Sequence, residues 1–325
     1  MDIVLQSSDE YSKYLKITLL SLLKSNKEVQ NINVHILSDG IKKQSKQQIE
    51  VIAKQKDNCS IFFYDMEEYK EYLSGLAPKF HGSYATYYKL FLTRILPDNI
   101  GRVLYLDVDL IVLENLEELF ALDMKGNYYM GVHSILNRPS KNVEIFINGG
   151  VQLIDLDACR KNNVLLKFER EIQTNGDLLL YADQSVIHKT IAERIGTLKL
   201  RYNVVTPCML LPYERFLWIN NLDSFYGREE YEAARAKPAI CHCTAWCVGR
   251  PWIVGSLSPY RDFYKKLMEE LDIKEGASTF RQRIRWKMNL FIYKRIPIKM
   301  LSKYLTIRRK NKNLGVIDSI DENNR

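Results

Sequence analysis

The sequence predicts an α/β fold with a mostly parallel central sheet. Three observations carry this expectation. Short apolar runs of strand length alternate with amphipathic stretches of helix length over the first two-thirds of the chain. Turn signals such as Ser38-Asp39-Gly40 separate them. With 325 residues, 46% of them hydrophobic, the chain has ample material for a large buried core.

The elements follow in order. Residues 2–6 (DIVLQ) form an apolar run of buried-strand character. Residues 11–23 place Tyr14, Leu15, Thr18, Leu19 and Leu22 at helical spacing. A second strand spans 33–37 (NVHIL), a polar amphipathic helix 42–56, and a third strand 60–64 (SIFFY). A helix over 84–95 ends before Pro97, and a fourth strand covers 102–106 (RVLYL). Strands over 128–132 and 150–154, a helix over 181–192 and an extended stretch over 238–244 complete the alternating part. After Pro259 the character changes to a charged helix over 260–270 and a basic, apolar segment over 280–293. Beyond Pro297, a helix over 298–307 sets Leu301, Tyr304 and Leu305 on one face, and the last dozen residues read as a frayed tail.

Charged residues make up 26% of the chain, an ordinary globular share that excludes wholesale disorder. The N-terminal stretch lacks the pattern of a secretory signal, and no apolar run has the length of a membrane span. Six cysteines in such a chain are expected to be reduced thiols in a cytoplasmic protein. The net charge of +8 is unevenly placed: residues 276–312 hold twelve Lys/Arg and no acid, so the remainder is net acidic.

Asp107 and Asp109 sit at the end of the fourth strand between apolar flanks, where α/β sheets bind ligands. If the strand continues, both carboxylates share a face and repel unless a hard divalent cation joins them. If it has ended, they are solvated turn residues. His242, in Cys241-His242-Cys243, reads as a nitrogen ligand for the same metal or as a hydrogen-bonded core histidine. A zinc site from Cys241, His242, Cys243 and Cys247 is disfavoured for want of a second ligand pair. Arg250 suits phosphate oxygens. Asn148-Gly149-Gly150 is a close-approach point or a plain turn. Asp183-Gln184 could face a cavity, although sequence physics alone favours a helix N-cap.

In this order the segments resemble glycosyltransferase family 8, a retaining family that includes bacterial lipopolysaccharide galactosyl- and glucosyltransferases and glycogenin. The resemblance runs from Met1 to about Trp252. Its carriers are Tyr87-Tyr88-Lys89-Leu90-Phe91, Leu96-Pro97 and Arg102-Val103-Leu104-Tyr105-Leu106-Asp107-Val108-Asp109. Asn148-Gly149-Gly150-Val151, Ala182-Asp183-Gln184 and His242 with Arg250-Pro251-Trp252 then follow in family order.

The resemblance implies a GT-A fold, Rossmann-like, with residues 1–258 as the nucleotide-sugar-binding catalytic domain and 259–325 as a basic helical extension. It implies Mn²⁺ or Mg²⁺ held by Asp107, Asp109, His242 and both phosphates of a UDP-sugar, with the Asp107-Val108-Asp109 triplet against the nucleotide. Gln6, Ser8, Asp9 and Tyr11 would form the uridine end. Gly249 and Arg250 would serve the diphosphate, Lys89 would bind the donor in place of a family arginine, and Asn148 and Gly149 would lie near donor or acceptor. Asp183 and Gln184 would line the donor sugar as the catalytic pair. Gln184 would lie opposite the departing phosphate, and its poor nucleophilicity favours front-face displacement. The expected donor is UDP-galactose or UDP-glucose, and the acceptor a bacterial cell-surface polysaccharide, lipid-linked glycan or glycoprotein glycan.

The sequence also departs from the family pattern. Ser8 replaces an acid that commonly touches the uracil, Lys89 replaces an arginine, and Ala245 replaces a glycine in a loop about two residues longer. The basic segment 276–312 fits an anionic membrane surface on the inner face of the cell membrane, or a helix docked on the domain; no nucleic-acid partner is expected. Two other classes compete: a D-x-D metal phosphohydrolase, for which Ile111 stands where Thr or Val is needed, and a non-catalytic membrane scaffold.

Overall fold

The computed structural model describes residues 1–80, 82–135, 146–220, 222, 224–297 and 300. The chain forms two units, residues 1–203 with 236–241, and residues 204–235 with those from 242 onward. The division cuts one three-residue strand, Ile240–His242, whose first two residues belong to the first unit.

The strands of the first unit begin with β1 (Asp2–Ser8), β2 (Ile32–Asp39), β3 (Cys59–Asp65), β4 (Arg102–Leu106) and β5 (Leu110–Val112). β6 (Tyr129–His133), β7 (Ile147–Asp155) and β8 (Ile195–Thr197) follow. β9 (Val204–Val205) opens the second unit, and β10 is Ile240–His242. Among the described residues the main sheet has the order β3-β2-β1-β4-β7-β6-β8. β1 pairs in parallel with β2 and β4, β2 with β3, and β6 with β8, while β7 is antiparallel to β4 and β6. Only β7 is reversed, which is the mostly parallel sheet expected. Ile3, Val4 and Leu5 of β1 and Val103 and Leu104 of β4 are fully buried. Central strands covered on both faces need such unbroken apolar runs. β3, at the edge, is only partly buried, and Phe62 is exposed.

The helices of this unit are α1 (Ser12–Ser25), α2 (Lys43–Ala53), α3 (Glu67–Ser74), α4 (Leu92–Ile95), α5 (Glu117–Phe120), α6 (Leu156–Lys161), α7 (Val164–Asn175) and α8 (Ala182–Ile191). α3 had no sequence signal, because only Leu73 of its eight residues is buried. The helix expected over 84–95 is a 3₁₀ turn, Ala85–Phe91, leading into α4. In a 3₁₀ helix residues three apart eclipse. That places Thr86 and Lys89 in line.

α1 carries a second, polar row beside its leucines. The Thr18 hydroxyl reaches the carbonyls of Val108 (2.8 Å) and Leu110 (2.9 Å). Ser21 Oγ accepts from Val112 N–H at 3.0 Å, and Ser25 Oγ donates to the Val112 carbonyl at 2.9 Å. These residues, at i, i+3 and i+7, lie on one helix face. They clamp the chain on either side of Asp109.

The second unit contains α9 (Thr206–Leu210), α10 (Tyr213–Ile219), α11 (Arg228–Ala236), α12 (Arg261–Glu270) and α13 (Phe280–Arg295). Tyr231 holds its centre together, its hydroxyl donating to the carbonyls of Cys208 and Leu211. α13 starts with a Thr279/Gln282 capping box. It ends on Arg215, which donates to the carbonyls of Tyr293 and Ile296, both at 2.6 Å. Trp286 is buried, and Tyr293 packs on Trp246 with ring centroids 5.0 Å apart. The first part of the basic extension is thus a helix docked on its own unit, and the expected boundary at 258/259 falls inside that unit. The helix expected over 298–307 lies outside the described residues, Met300 apart. No described helix is long and apolar enough to cross a membrane.

Replacing Thr18 by Val keeps its shape and β-branching but removes the hydroxyl from one buried and one half-buried carbonyl. The expected cost is about 1–3 kcal/mol of unfolding free energy, measured by urea denaturation. Thr18→Ser should recover most of it; an unchanged midpoint in the Val variant would show that the clamp carries no weight.

Candidate active site

β4 ends at Leu106, so Asp107, Val108 and Asp109 form the three-residue link to β5. The same-face argument for a continuing strand therefore does not apply: the strand has ended. The link is nonetheless held firmly. Asp107 N–H donates to the Gly150 carbonyl of β7 at 2.8 Å, and Thr18 takes the Val108 carbonyl. The Tyr105 hydroxyl, two residues earlier, donates to Asp107 Oδ1 at 3.1 Å. Burial, reinforced by the charges of Asp107 and Asp183, holds the Tyr105 phenol well above its usual range, so it stays protonated as a donor.

β5 and β10 are neighbours in a small second sheet, and the Leu113 N–H donates to the Ala239 carbonyl at 2.8 Å. His242, buried, is the last residue of β10. Asp107, Asp109 and His242 each offer one ligand atom, and these atoms lie within 4.8 Å of one another. No cysteine joins such a group among the described residues. Neighbouring strand residues point to opposite faces, so Cys241 is directed away from His242, and the four-residue zinc reading finds no geometry. None of the six cysteines is in a disulfide, and burial pushes the Cys59 thiol up to about 11 and Cys159 to about 12.

Asp183 is not the N-cap that sequence physics favoured. Tyr181 occupies that position, and Asp183 lies buried in the first turn of α8. Tertiary partners override the capping preference. The Thr86 hydroxyl donates to Asp183 Oδ1 at 2.8 Å, and Lys89 Nζ lies 3.0 Å from Oδ2. Lys89 also donates to the Gly149 carbonyl at 2.9 Å and sits 4.2 Å over the Tyr105 ring. Burial alone would lower the Lys89 pKa. The carboxylates of Asp183, Asp107 and Asp109 outweigh it and raise the value, so the ammonium stays charged.

Gly149 is explained by this pair. A Cβ there would stand 3.0 Å from Asp183 Oδ2 and 3.2 Å from Lys89 Nζ. Asn148 Oδ1 accepts from Gly150 N–H (2.9 Å) and from Asn203 Nδ2 (2.8 Å). Four buried amide oxygens have no hydrogen-bond partner among the described residues, and two of them, Gln6 Oε1 and Gln184 Oε1, belong to the expected site. Such orphans are costly unless a ligand satisfies them.

At the N-terminal end, Asp9 is already employed. Its Oδ1 accepts from Lys42 N–H (3.0 Å) and Ser45 Oγ (2.8 Å) at the start of α2. Those bonds, the backbone one foremost, hold its carboxyl below the usual range. Ser8 Oγ lies 3.5 Å from Tyr11 N–H, and the Tyr11 ring is exposed, edge-on to Tyr14. Within the second unit, Arg250 donates to the Cys243 carbonyl at 2.9 Å and lies 5.3 Å over Trp252. Gly249 has φ +79°, and a Cβ there would meet the Trp286 ring at 2.7 Å. Glycine is required on both counts.

Sequence reasoning missed Thr18, Thr86 and Tyr105. Tyr105 and Thr86 carried faint signals. Tyr105 precedes Asp107 by two in a strand-like run, and Thr86 precedes Lys89 by three. Thr18 stands at helical spacing with Leu15, Leu19 and Leu22 and carries no separate signal.

Lys89→Met should cost about 3–5 kcal/mol, because it strands a buried carboxylate. Lys89→Met with Asp183→Leu should restore most of that stability. The check is a double-mutant cycle by chemical denaturation; additive losses would mean the two charges do not interact.

The sequence matches Glycosyl transferase family 8 over residues 2–252. It is 26% identical over 274 residues to General stress protein A of Bacillus subtilis (strain 168), covering 81% of this chain and 91% of that one. It is 24% identical over 209 residues to the lipopolysaccharide 1,2-glucosyltransferase of Escherichia coli, covering 61% of this chain and 60% of that one. Among solved structures, galactosyltransferase LgtC in complex with donor and acceptor sugar analogs superimposes with a TM-score of 0.67 at 20% identity, covering 88% of this chain and all of that one. That likeness shows the shared fold. With the match spanning most of the chain, the protein belongs to glycosyltransferase family 8.

Proposed function

We propose that this glycosyltransferase moves a hexose, galactose or glucose, from a UDP-sugar to a glycan acceptor with retention, and that a divalent cation assists departure of the diphosphate. The observation that carries this reading is the convergence of Asp107, Asp109 and His242, in a chain of this family. Two carboxylates and one imidazole, with no thiolate, make a donor set suited to Mn²⁺ or Mg²⁺. When bound, the cation would offset the negative charge that develops on the leaving diphosphate.

The protein's own groups account for the rest. Tyr105 fixes the orientation of Asp107, and the Thr18 clamp fixes the backbone of the link. Arg250 and the backbone of Gly249 are the proposed diphosphate contacts, a role suited to a guanidinium fork. Asp183, anchored by Thr86 and Lys89, would accept from hydroxyls of the donor sugar. Gln184 Oε1, unpartnered and buried, would face the anomeric carbon and favour positive charge there. A neutral amide is a poor nucleophile, which supports displacement from the front face. Gln6 Oε1 and the exposed Tyr11 ring are the proposed contacts for ribose and base, with Ser8 beside them. Asp9 contributes indirectly, through the start of α2. Gly149, against the Lys89–Asp183 pair, and Asn148 beside it are the proposed residues near donor or acceptor.

The acceptor class we propose is a bacterial cell-surface or lipid-linked glycan. The proposed location is the cytoplasmic face of the cell membrane, reached through the basic residues 276–312. Family membership sets the phosphohydrolase alternative aside.

A panel of UDP-sugars with water as acceptor tests the transferase reading by UDP release. Chelation should abolish release and Mn²⁺ restore it. Asp109→Asn should abolish it too, and unchanged turnover would sink the metal assignment. Calorimetry with UDP should show binding only with Mn²⁺ present, whereas no nucleotide binding at all would favour the scaffold. Tyr105→Phe should weaken Mn²⁺ affinity about 10-fold or more, read by metal titration in the absence of donor.

A further inference from the structure

α13 uses one face to dock, through Trp286 and Tyr293. Among the described residues its other face is apolar and uncovered. Phe280 is 71% exposed, Ile284 42%, Met288 58% and Phe291 62%. Steps of four, four and three residues set these side chains in one stripe along the helix. The stripe is about 16 Å long at 1.5 Å per residue. At 100° per residue, Arg283, Lys287 and Lys294 flank it on one side and Arg281 on the other. None of these four cations has an acidic partner among the described residues.

A cavity of about 420 Å³ opens beside the stripe, lined by Leu257, Arg261, Phe280, Arg283, Ile284 and Lys287. Gly255 shapes it. Its φ is +76°, and a Cβ would stand 2.4 Å from Arg283 Cδ, so glycine lets the arginine lie against the loop. Glu275 answers the charge of Arg261. Arg283 and Lys287 remain unanswered, so the cavity presents two cations beside apolar walls.

We propose that this cavity seats the phosphate headgroup of an anionic phospholipid while the Phe280–Ile284–Met288–Phe291 stripe enters the bilayer interface. An amphipathic helix of this kind binds by its apolar face and its flanking cations together. A second copy of the chain is the poorer occupant, since it would bring its own unanswered cations against these. A small soluble anion would fill the cavity and leave the stripe in water. This inference rests on the membrane-surface reading above and not on the transfer chemistry.

The test is flotation of the full-length protein with phosphatidylcholine vesicles, with and without phosphatidylglycerol. The parent should partition to the anionic vesicles, with little binding to neutral ones. Lys287→Glu and Phe280→Ser/Phe291→Ser should each weaken partition, and Arg283→Glu/Lys287→Glu should do so about tenfold or more. Thermal midpoints and UDP release should match the parent, because these groups lie outside the transfer machinery. Any of four results overturns the proposal. The variants partition like the parent; the parent does not partition; inorganic phosphate binds by calorimetry while vesicles do not; or the parent sediments as a dimer that Phe280→Ser/Phe291→Ser dissolves. Absent UDP release with intact partition would fail the transferase reading and leave this one standing.

Discussion

One buried ammonium organises the part of the first unit where the 3₁₀ turn, α8 and β7 meet. Lys89 Nζ faces Asp183 Oδ2, bonds the Gly149 carbonyl and lies on the Tyr105 ring. Taking a charge out of water costs several kcal/mol, so each partner has to be placed well for the arrangement to stand. That requirement reaches into three elements. It fixes the 3₁₀ turn that aligns Lys89 with Thr86, the first turn of α8, and the glycine in β7 that leaves room between them. Through Tyr105 it also reaches Asp107, whose carboxylate the phenol steadies.

The second requirement is a rigid turn. A three-residue link carrying two carboxylates would otherwise be mobile, since neither aspartate is fixed by a strand ladder. α1 supplies the missing bonds with Thr18, Ser21 and Ser25, and β7 supplies the Gly150 carbonyl. The hydroxyl row costs α1 little, because each hydroxyl finds a partner and none is left buried unpaired. Packed elements on both sides hold the two carboxylates in a preorganised arrangement, as the proposed cation site requires.

In the second unit the same economy of parts recurs. Trp286 of α13 packs on Gly249, next to Arg250, while Arg250 is steadied by the Cys243 carbonyl and the Trp252 ring. The basic extension is therefore not a loose tail at its start. One side of α13 braces the loop that carries the proposed diphosphate contacts, and the other presents apolar and cationic side chains to solvent.

The sequence by itself determined the alternating α/β order, because buried strands need unbroken apolar runs. β4 matched the expected 102–106, and β1 and β2 extended theirs by a few residues. It also determined the family and the chemical character of Asp107, Asp109 and His242, since ligand chemistry belongs to residue type. It could not determine that β4 stops before Asp107, that Asp183 turns inward to Lys89, or that Asp9 serves α2. Each of those outcomes depends on a partner far along the chain: Gly150, Lys89 and Ser45. Local propensity favoured a cap for Asp183, and a buried cation 94 positions away won. Tertiary structure alone decided that Asp183 answers Lys89 and that Asp9 serves the start of α2, because only contact in space supplies the compensating charge and donors.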